Sequence, residues 1–182
     1  DYGLNSPFGG FGVISNMVGD SESFDNGFGG WITSNVTITA DAQTSPIGIV
    51  NAEELTSTAA GGHMRAEPYA NSAGTTTFSI WVKTNSGTQP FDLRIDSTGG
   101  TPTTGTAASY TATTTWKRYH VTETFTGSPS EYMPRIIITN NSATIVAWGA
   151  QLVMGSQPGA YAKTYGSSSA FNPSDTGLSV NG

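Results

Sequence analysis

The stretch IIITNNSATIVAWGAQL, residues 136–152, decides the fold of this protein. Its β-branched and apolar runs at 136–139 and 144–148 flank the turn sequence NNS, so the stretch predicts a β-hairpin. Consecutive isoleucines favour a strand that is buried on both faces or lies near the centre of a sheet. A strand of that kind needs partners on both sides, so the rest of the chain must supply further strands.

Alternating apolar and polar residues predict those further strands. In the segment with the best alternation, Phe78, Ile80 and Val82 are expected to face the core, while Trp81 faces the opposite side. Other β-rich segments lie at residues 36–40, 91–95 and 116–125. Together these segments predict about eight to ten strands without an amphipathic helix, which is typical of an all-β, antiparallel β-sandwich of the jelly-roll type.

The segment at 116–125 places a charged residue among core residues. Tyr119, Val121 and Phe125 are expected to point inward, and Glu123 falls in the same series. A buried carboxylate needs a hydrogen-bonding partner. Glu123 is therefore expected either to lie where the strand leaves the core or to be paired.

The remaining tryptophans are expected in the core. Trp31 and Trp116 belong to this group, and Trp148 is expected to lie in line with Val146, Ala150 and Leu152.

The chain predicts one domain with loose ends. Residues 1–19, rich in Gly, Asn and Phe, are expected to form an N-terminal arm that docks on its own sandwich or on a neighbouring subunit. Residues 20–165 carry the predicted sandwich, and the Ser/Gly/Asn-rich residues 166–182 are typical of a flexible C-terminal tail or linker. The sequence begins at Asp1 rather than Met, which suggests a piece of a longer protein.

Composition and charge exclude several kinds of partner. Seven basic and thirteen acidic residues give a formal net charge of −6, which argues against nucleic acid and against an anionic membrane surface. No apolar run of about 18 residues predicts membrane insertion, and no basic-then-apolar leader is visible. The absence of cysteine excludes disulfides, thiolate metal sites and a cysteine nucleophile.

Several short motifs follow one another in an order that resembles a known family. They are Ser23–Asn26, Trp31, Ser34–Thr39, Pro46–Gly48, Glu54–Leu55, Thr77–Lys83, Trp116–Tyr119, Trp148–Leu152 and Tyr161–Thr164. This order resembles a domain that is common in bacteriophage and prophage tail or fibre proteins. That domain in turn looks like the jelly-roll carbohydrate-binding modules attached to polysaccharide-degrading enzymes. The resemblance covers roughly residues 20–165.

The resemblance implies a non-catalytic structural or adhesion domain of a phage virion, in a tail fibre, tailspike or capsid-decorating protein. Its partners would be other virion subunits, further copies of itself with a trimer favoured, and host-surface polysaccharide. Such a protein would be located in the virion, outside the cell. The alternative is a carbohydrate-binding module of a secreted polysaccharide-degrading enzyme.

A structural calcium ion is the cofactor that the resemblance suggests. Asp20, Glu22 and Asp25 lie close together where the family often places part of its ion site, and Ca²⁺ prefers carboxylate and carbonyl oxygens. A solvated acidic turn is the alternative. The related modules usually place an aspartate in the last strand, where this chain has Trp148 and Gly149.

Carbohydrate binding needs flat aromatic faces and groups that hydrogen-bond hydroxyls. Trp81 is the leading candidate, because its strand supplies core residues from the other face; a loop or a neighbouring subunit that covers Trp81 is the alternative. The candidates that accompany it are Arg94 and Asp96, or Arg118 and His120, with the loop residues Tyr69, Tyr110 and Tyr132.

Catalysis has little support in the sequence. No nucleophile elbow, zinc-protease helix or phosphate-binding loop occurs, and His63 and His120 are far apart. Glu53, Glu54, Glu67, Glu123 and Glu131 are available carboxylates, but no spacing singles out a glycosidase pair. The protein is therefore expected not to be an enzyme.

Overall fold

The computed structural model of the protein describes residues 16–25, 30–68 and 72–165. Within them the chain forms nine strands and no helix, so no helix there could cross a membrane. The strands are β1 (Trp31–Ser34), β2 (Val36–Thr44), β3 (Val50–Ser57), β4 (Gly62–Ala66), β5 (Gly74–Lys83), β6 (Gln89–Thr101), β7 (Ala108–Ala112), β8 (Lys117–Ile138) and β9 (Thr144–Met154). The predicted all-β class is confirmed.

The strands form two antiparallel sheets that share β8. Sheet I has the order β1-β4-β8-β6-β7, and sheet II has the order β2-β3-β9-β5-β8. Residues 117–125 of β8 pair with β5 in sheet II, whereas the later residues pair with β6 and β4 in sheet I. This long strand joins the sheets along one side, which brings the predicted sandwich close to a barrel.

The core lies between the two sheets and contains the residues that alternation predicts. Phe78, Ile80 and Val82 are fully buried, as are Phe91 and Leu93 of β6. Burial of large apolar side chains of this kind contributes about 1.5–3 kcal/mol each to folding.

The inward series of β8 is also confirmed. Tyr119, Val121 and Phe125 are buried. Glu123 is half-buried, and its Oε2 accepts a hydrogen bond of 2.6 Å from the backbone N–H of Thr106. The carboxylate that falls in this series is therefore paired, one of the two expected solutions.

The predicted hairpin at 136–152 is wrong. β8 ends in sheet I, between β4 and β6, while β9 begins in sheet II, between β3 and β5. The connection bonds to the end of β3 instead: Ser57 Oγ donates to the carbonyl of Asn140 at 2.6 Å and accepts from the N–H of Ala143 at 3.0 Å. The isoleucine strand nevertheless lies at the centre of its sheet, with Ile136 and Ile138 in the core.

A bulge in β9 changes which residues share a face. Gly149 has a φ of +67°, and the pairing of β5 with β9 shifts register between Ser79 and Trp81. As a result Trp148 lies with Val146 on the outer face of sheet II, whereas Ala150 and Leu152 lie in the core. The expectation that Trp148 lies in line with Val146 is confirmed, but the expectation that it also lies in line with Ala150 and Leu152 is wrong.

Residues 16–19 of the predicted arm pack on the sandwich. The side-chain amide of Asn16 donates to the carbonyls of Ala150 and Ala162 at 3.0 and 2.9 Å, and its oxygen accepts from the N–H of Leu152. Val18 is fully buried. Residues 1–15 of the arm and the predicted tail at 166–182 lie outside the described residues.

Candidate functional site

A row of three arginines crosses the outer face of sheet I. Arg65 of β4 pairs with Arg135 of β8, and Arg135 pairs with Arg94 of β6. The adjacent residues Met64 and Leu93 are buried in the core, so alternation turns the arginines outward. We call Arg65, Arg135 and Arg94 the arginine row.

Two carboxylates pair with the arginine row: Asp96 links Arg94 to Arg135, and Glu67 pairs with Arg65. Asp96 Oδ2 accepts a hydrogen bond from Arg94 Nη2 at 3.0 Å, and its Oδ1 accepts from the N–H of Gly105. Asp96 also forms two ion pairs, Oδ1 with Arg94 Nε at 2.8 Å and Oδ2 with Arg135 Nη2 at 2.7 Å. Glu67 Oε1 accepts a hydrogen bond from Arg65 Nε at 3.0 Å and forms an ion pair with Arg65 Nη2 at 2.7 Å. Charges of one sign directly opposite each other destabilise a sheet, and these ion pairs offset part of that cost.

The row keeps nitrogen atoms without protein partners. Arg135 is nearly buried, with 12% of its side chain exposed, and neither its Nε nor that of Arg94 makes a hydrogen bond to the described residues. Arg65 and Arg94 are more exposed, at 29% and 25%. A buried unpaired donor is costly, and the more exposed guanidinium groups of Arg65 and Arg94 are the parts of the row that a ligand can reach.

His63 extends the polar surface beyond the row. Its Nε2 lies 3.4 Å from Arg135 Nη1. Burial lowers the pKa of His63 below 6.5, and the positive charges of Arg135, Arg65 and Arg94 lower it further, against a smaller opposite effect of a Gly61 hydrogen bond. The imidazole is therefore neutral at pH 7.

Apolar side chains flank the charged groups on this face. Ile32 lies opposite Arg65 in β1 and is 40% exposed, and Met133 and Ile137 stand on either side of Arg135 in β8. No Trp, Tyr or Phe of the described strands of sheet I faces this side. The surface is thus built for hydrogen bonding and ion pairing rather than for aromatic stacking.

Trp81 lies on the other outer face, that of sheet II, and is half-buried by the protein itself. The guanidinium of Arg118 lies 4.5 Å from its ring centroid, and the rings of Trp148 and Tyr161 meet it edge-on at 5.4 and 5.2 Å. Arg118 also donates to the carbonyl of Gly159 at 2.7 Å. Residues near the C-terminal end of the described chain therefore cover part of the predicted platform.

The candidates expected beside Trp81 divide between the two faces. Arg118 is paired with it across β5 and β8, and the exposed His120 follows on the same face. Arg94 and Asp96 lie on the outer face of sheet I instead. Alternation predicts the outward direction of these four side chains, but which strands share a sheet is not a local property.

The predicted loop tyrosines are placed differently. Tyr132 is fully buried and donates to the carbonyl of Ser72, and half-buried Tyr110 packs on the core residues Phe91 and Tyr119. Tyr69 lies outside the described residues.

Trp116 is not in the core as expected, whereas Trp31 is. Trp116 precedes β8 and is half-exposed. Its Nε1 donates to the carbonyl of Thr44 at 3.1 Å, and the ammonium of Lys83 lies 5.3 Å from its ring centroid.

Two of the predicted calcium ligands, Glu22 and Asp25, bond to protein donors instead. Both oxygens of Glu22 bond to protein donors, namely Tyr161 to Oε1, and Asn51 and Lys163 to Oε2. Asp25 accepts from Ser23 Oγ. No group of three or more His, Asp or Glu suited to a metal ion occurs in the described ranges.

These contacts do not fit the predicted calcium site, because Lys163 already neutralises Glu22. Calcium stays a prediction. An ion that binds only the folded state raises its stability, so a thermal melt with and without a chelator tests for it. A melting midpoint that a chelator leaves unchanged would speak against it.

Glu53, one of the five carboxylates available for a glycosidase pair, is buried. It is 2% exposed, and both of its oxygens lie 2.9 Å from the backbone N of Phe24. Burial raises its pKa to about 8, with smaller raising effects of Asp25, Asp41 and Asp20 and a lowering effect of the Phe24 hydrogen bond. Because Glu53 points into the sandwich, it is not placed to contact a polymer.

The arginine row itself was missed at the sequence level, apart from Arg94. Alternation alone could have placed Arg65 beside buried Met64 and Arg135 beside buried Ile136. Their alignment depends on β4 and β6 pairing with β8, which no local pattern reveals.

No protein-family model and no curated protein matches the chain. Solved structures do match it. The chain is similar to the CBM22-1 and GH10 modules of endo-1,4-β-D-xylanase 10B from Clostridium thermocellum, complexed with xylohexaose, with 14% identity and a TM-score of 0.61 over 78% of this chain and 29% of that chain.

Two further likenesses have the same low identity. The CBM22-1 xylan-binding domain of Paenibacillus barcinonensis Xyn10C matches 79% of this chain and 97% of its own, with 14% identity and a TM-score of 0.56. The enzymatically active domain of tailspike protein 4 from bacteriophage CBA120 matches 78% of this chain and 22% of its own, with 14% identity and a TM-score of 0.51. The shared feature is the jelly-roll fold of carbohydrate-binding modules.

Proposed function

We propose that this domain is a non-catalytic carbohydrate-binding module whose ligand lies across the arginine row. The observation that carries the proposal is the row itself: three cross-strand arginines lie on an outer face, Asp96 links Arg94 to Arg135, and Glu67 pairs with Arg65. Each hydroxyl of a sugar both donates and accepts hydrogen bonds. Guanidinium and carboxylate groups side by side match both roles.

The dimensions of the row suit an extended saccharide. Neighbouring strands lie about 4.8 Å apart, so the guanidinium groups of three strands span about 10 Å. This span is about the length of a disaccharide. A polymer would therefore lie across the strands, with Ile32 and Met133 offering apolar contact to its C–H surfaces.

The similar structures support the proposal through the fold. The Paenibacillus barcinonensis domain is described as xylan-binding and is matched over 97% of its length. The chain spans only 29% of the xylanase chain and 22% of the tailspike chain, so the activities of those whole proteins are not assumed.

A glycan array read with two variants tests the proposal. We expect Arg65→Gln to weaken binding about tenfold or more, the effect of one charge-assisted hydrogen bond, while Trp81→Ala leaves binding unchanged. If Trp81→Ala loses binding while Arg65→Gln keeps it, the binding site lies on the outer face of sheet II instead. A folded protein that binds no glycan would overturn the proposal.

A place in a phage virion, in a tail fibre, tailspike or capsid decoration, is the second candidate, and the tailspike likeness is compatible with it. The two candidates share an extracellular polysaccharide as ligand and differ in assembly. A trimer by native mass measurement favours the virion role, whereas a monomer favours a module of a secreted enzyme.

A further inference from the structure

Basic residues are concentrated at the proposed binding site of an otherwise acidic chain. The inference drawn from this concentration rests on the proposed function. Lys and Arg together number seven in a protein of net charge −6. Three of the seven stand in direct cross-strand register as the arginine row. A row of like charges destabilises a sheet, so its presence calls for a compensating anion.

The protein compensates the row only in part. Its ion pairs use two carboxylates, Asp96 and Glu67, against three guanidinium groups. Asp96 bonds to two arginines and to the N–H of Gly105. Both bonded nitrogens of Arg65 share a single oxygen of Glu67.

Other neighbouring titratable groups form no ion pair with the row within the described part of the chain. His63 is neutral at pH 7, so it neither adds to the positive charge of the row nor offsets it. Asp92, two residues before Arg94 in β6, and Glu131, four residues before Arg135 in β8, lie on the same outer face but form no ion pair with the row within the described part of the chain. One positive charge therefore remains within the contacts of the row.

We infer that the saccharide recognised here is acidic and that the carboxylate of a uronic acid residue binds the arginine row. The planar fork of arginine pairs with a carboxylate through parallel hydrogen bonds, and such charge-assisted bonds are shorter and stronger than those to hydroxyls. Arg94 Nε and Arg135 Nε both lack a hydrogen-bond partner among the described residues, and the more exposed Arg65 and Arg94 flank Arg135. A neutral sugar could bond to the same nitrogens but would leave the excess charge in place.

The test uses matched ligands and matched variants. Alginate, polygalacturonate and glucuronoxylan fragments are titrated calorimetrically, each beside the same fragment with its carboxyl groups reduced to alcohols. We expect at least one uronate to bind at least tenfold more tightly than its reduced form, with an affinity that falls as salt is raised. The intact folded protein is used throughout.

The variants separate local charge from net charge. Arg65→Gln is expected to abolish the preference for the uronate, and Arg65→Lys to retain part of it because the charge remains without the fork. Lys117→Gln removes one positive charge from an exposed position of β8 outside the row and is expected to keep the preference.

The outcomes distinguish the inference from the proposed function. Equal binding of the uronate and its reduced form, or binding of neutral glycans alone, overturns the inference and leaves the carbohydrate-binding proposal standing. If Lys117→Gln lowers the preference for the uronate as much as Arg65→Gln does, the inference is also overturned. Failure to bind any glycan overturns both.

Discussion

At the scale of single residues, burial decides which charged groups are chemically distinctive. Glu53 and Glu54 are sequence neighbours, but β3 turns the first into the core and the second outward. The first is 2% exposed and has a pKa raised to about 8, mainly by burial. Its oxygens nevertheless have a fixed partner in the N–H of Phe24.

This position predicts a pH dependence of stability. The folded state holds the Glu53 proton up to about pH 8, whereas the unfolded chain releases it near pH 4.5. The contribution of this group is therefore full below pH 4.5 and is lost as pH rises to about 8, at up to about 1.4 kcal/mol per pH unit. Chemical denaturation in the presence of a chelator, repeated from pH 4.5 to 8, measures the slope.

Glu53→Gln should flatten this profile, because a neutral amide replaces the protonated acid. Glu54→Gln, which removes a carboxylate from the outer side of the same strand, is the matched control and should keep the slope. Equal slopes in wild type and Glu53→Gln would show that Glu53 does not titrate as described.

At the scale of elements, alternation predicts the inward faces of β5, β6 and the first part of β8 correctly, whereas the sequence does not predict which strands pair. Phe78, Ile80 and Val82 face the core as their period of two requires. The hairpin prediction failed because β-propensity and a turn sequence do not tell whether the next strand stays in the same sheet. The arginine row was missed for the same reason, since its register joins residues 65, 94 and 135.

The bulge at Gly149 is a second feature that no local pattern indicated. A Cβ at this position would lie 2.9 Å from Cε3 of Trp81, and φ is +67°. We expect Gly149→Ala to destabilise the fold by about 1–3 kcal/mol through overpacking, beyond its backbone strain. Denaturant midpoints measure this.

Gly159 provides the control for that substitution. It has a similar φ of +62°, but a Cβ there meets no atom within 4 Å. Gly159→Ala should therefore cost only the left-handed backbone strain, about 1–2 kcal/mol. If both variants lose the same stability, contact with Trp81 does not matter.

Asn16 is expected to fix the N-terminal segment to β9. Its buried side chain bonds to Ala150, Leu152 and Ala162. Asn16→Ala leaves these backbone groups without their side-chain partner, and each unsatisfied buried group costs about 1–3 kcal/mol. Thermal melting should show a clear loss of stability, and an unchanged midpoint would mean that the segment does not pack as described.

At the scale of the whole molecule, the two outer faces differ in how far the protein itself occupies them. On sheet II, Arg118 and Tyr161 pack against Trp81, and Tyr161 also packs against Trp148, so the protein itself covers part of this aromatic surface. The arginine row of sheet I keeps a positive excess and an unpartnered buried donor in the described part of the chain. Sequence reasoning favoured Trp81 because a flat aromatic side chain is visible in a sequence, whereas a charge row made by strand pairing is not.

The central claim, that a saccharide lies across the arginine row, is tested most directly by nitrogen–proton NMR spectra of the folded protein during titration. The ligand is the saccharide that binds best on the glycan array. We predict that the Nε–H signals of Arg65, Arg94 and Arg135 shift progressively to saturation while the indole signal of Trp81 stays in place. A shifting Trp81 indole beside unmoved arginine signals would contradict the account.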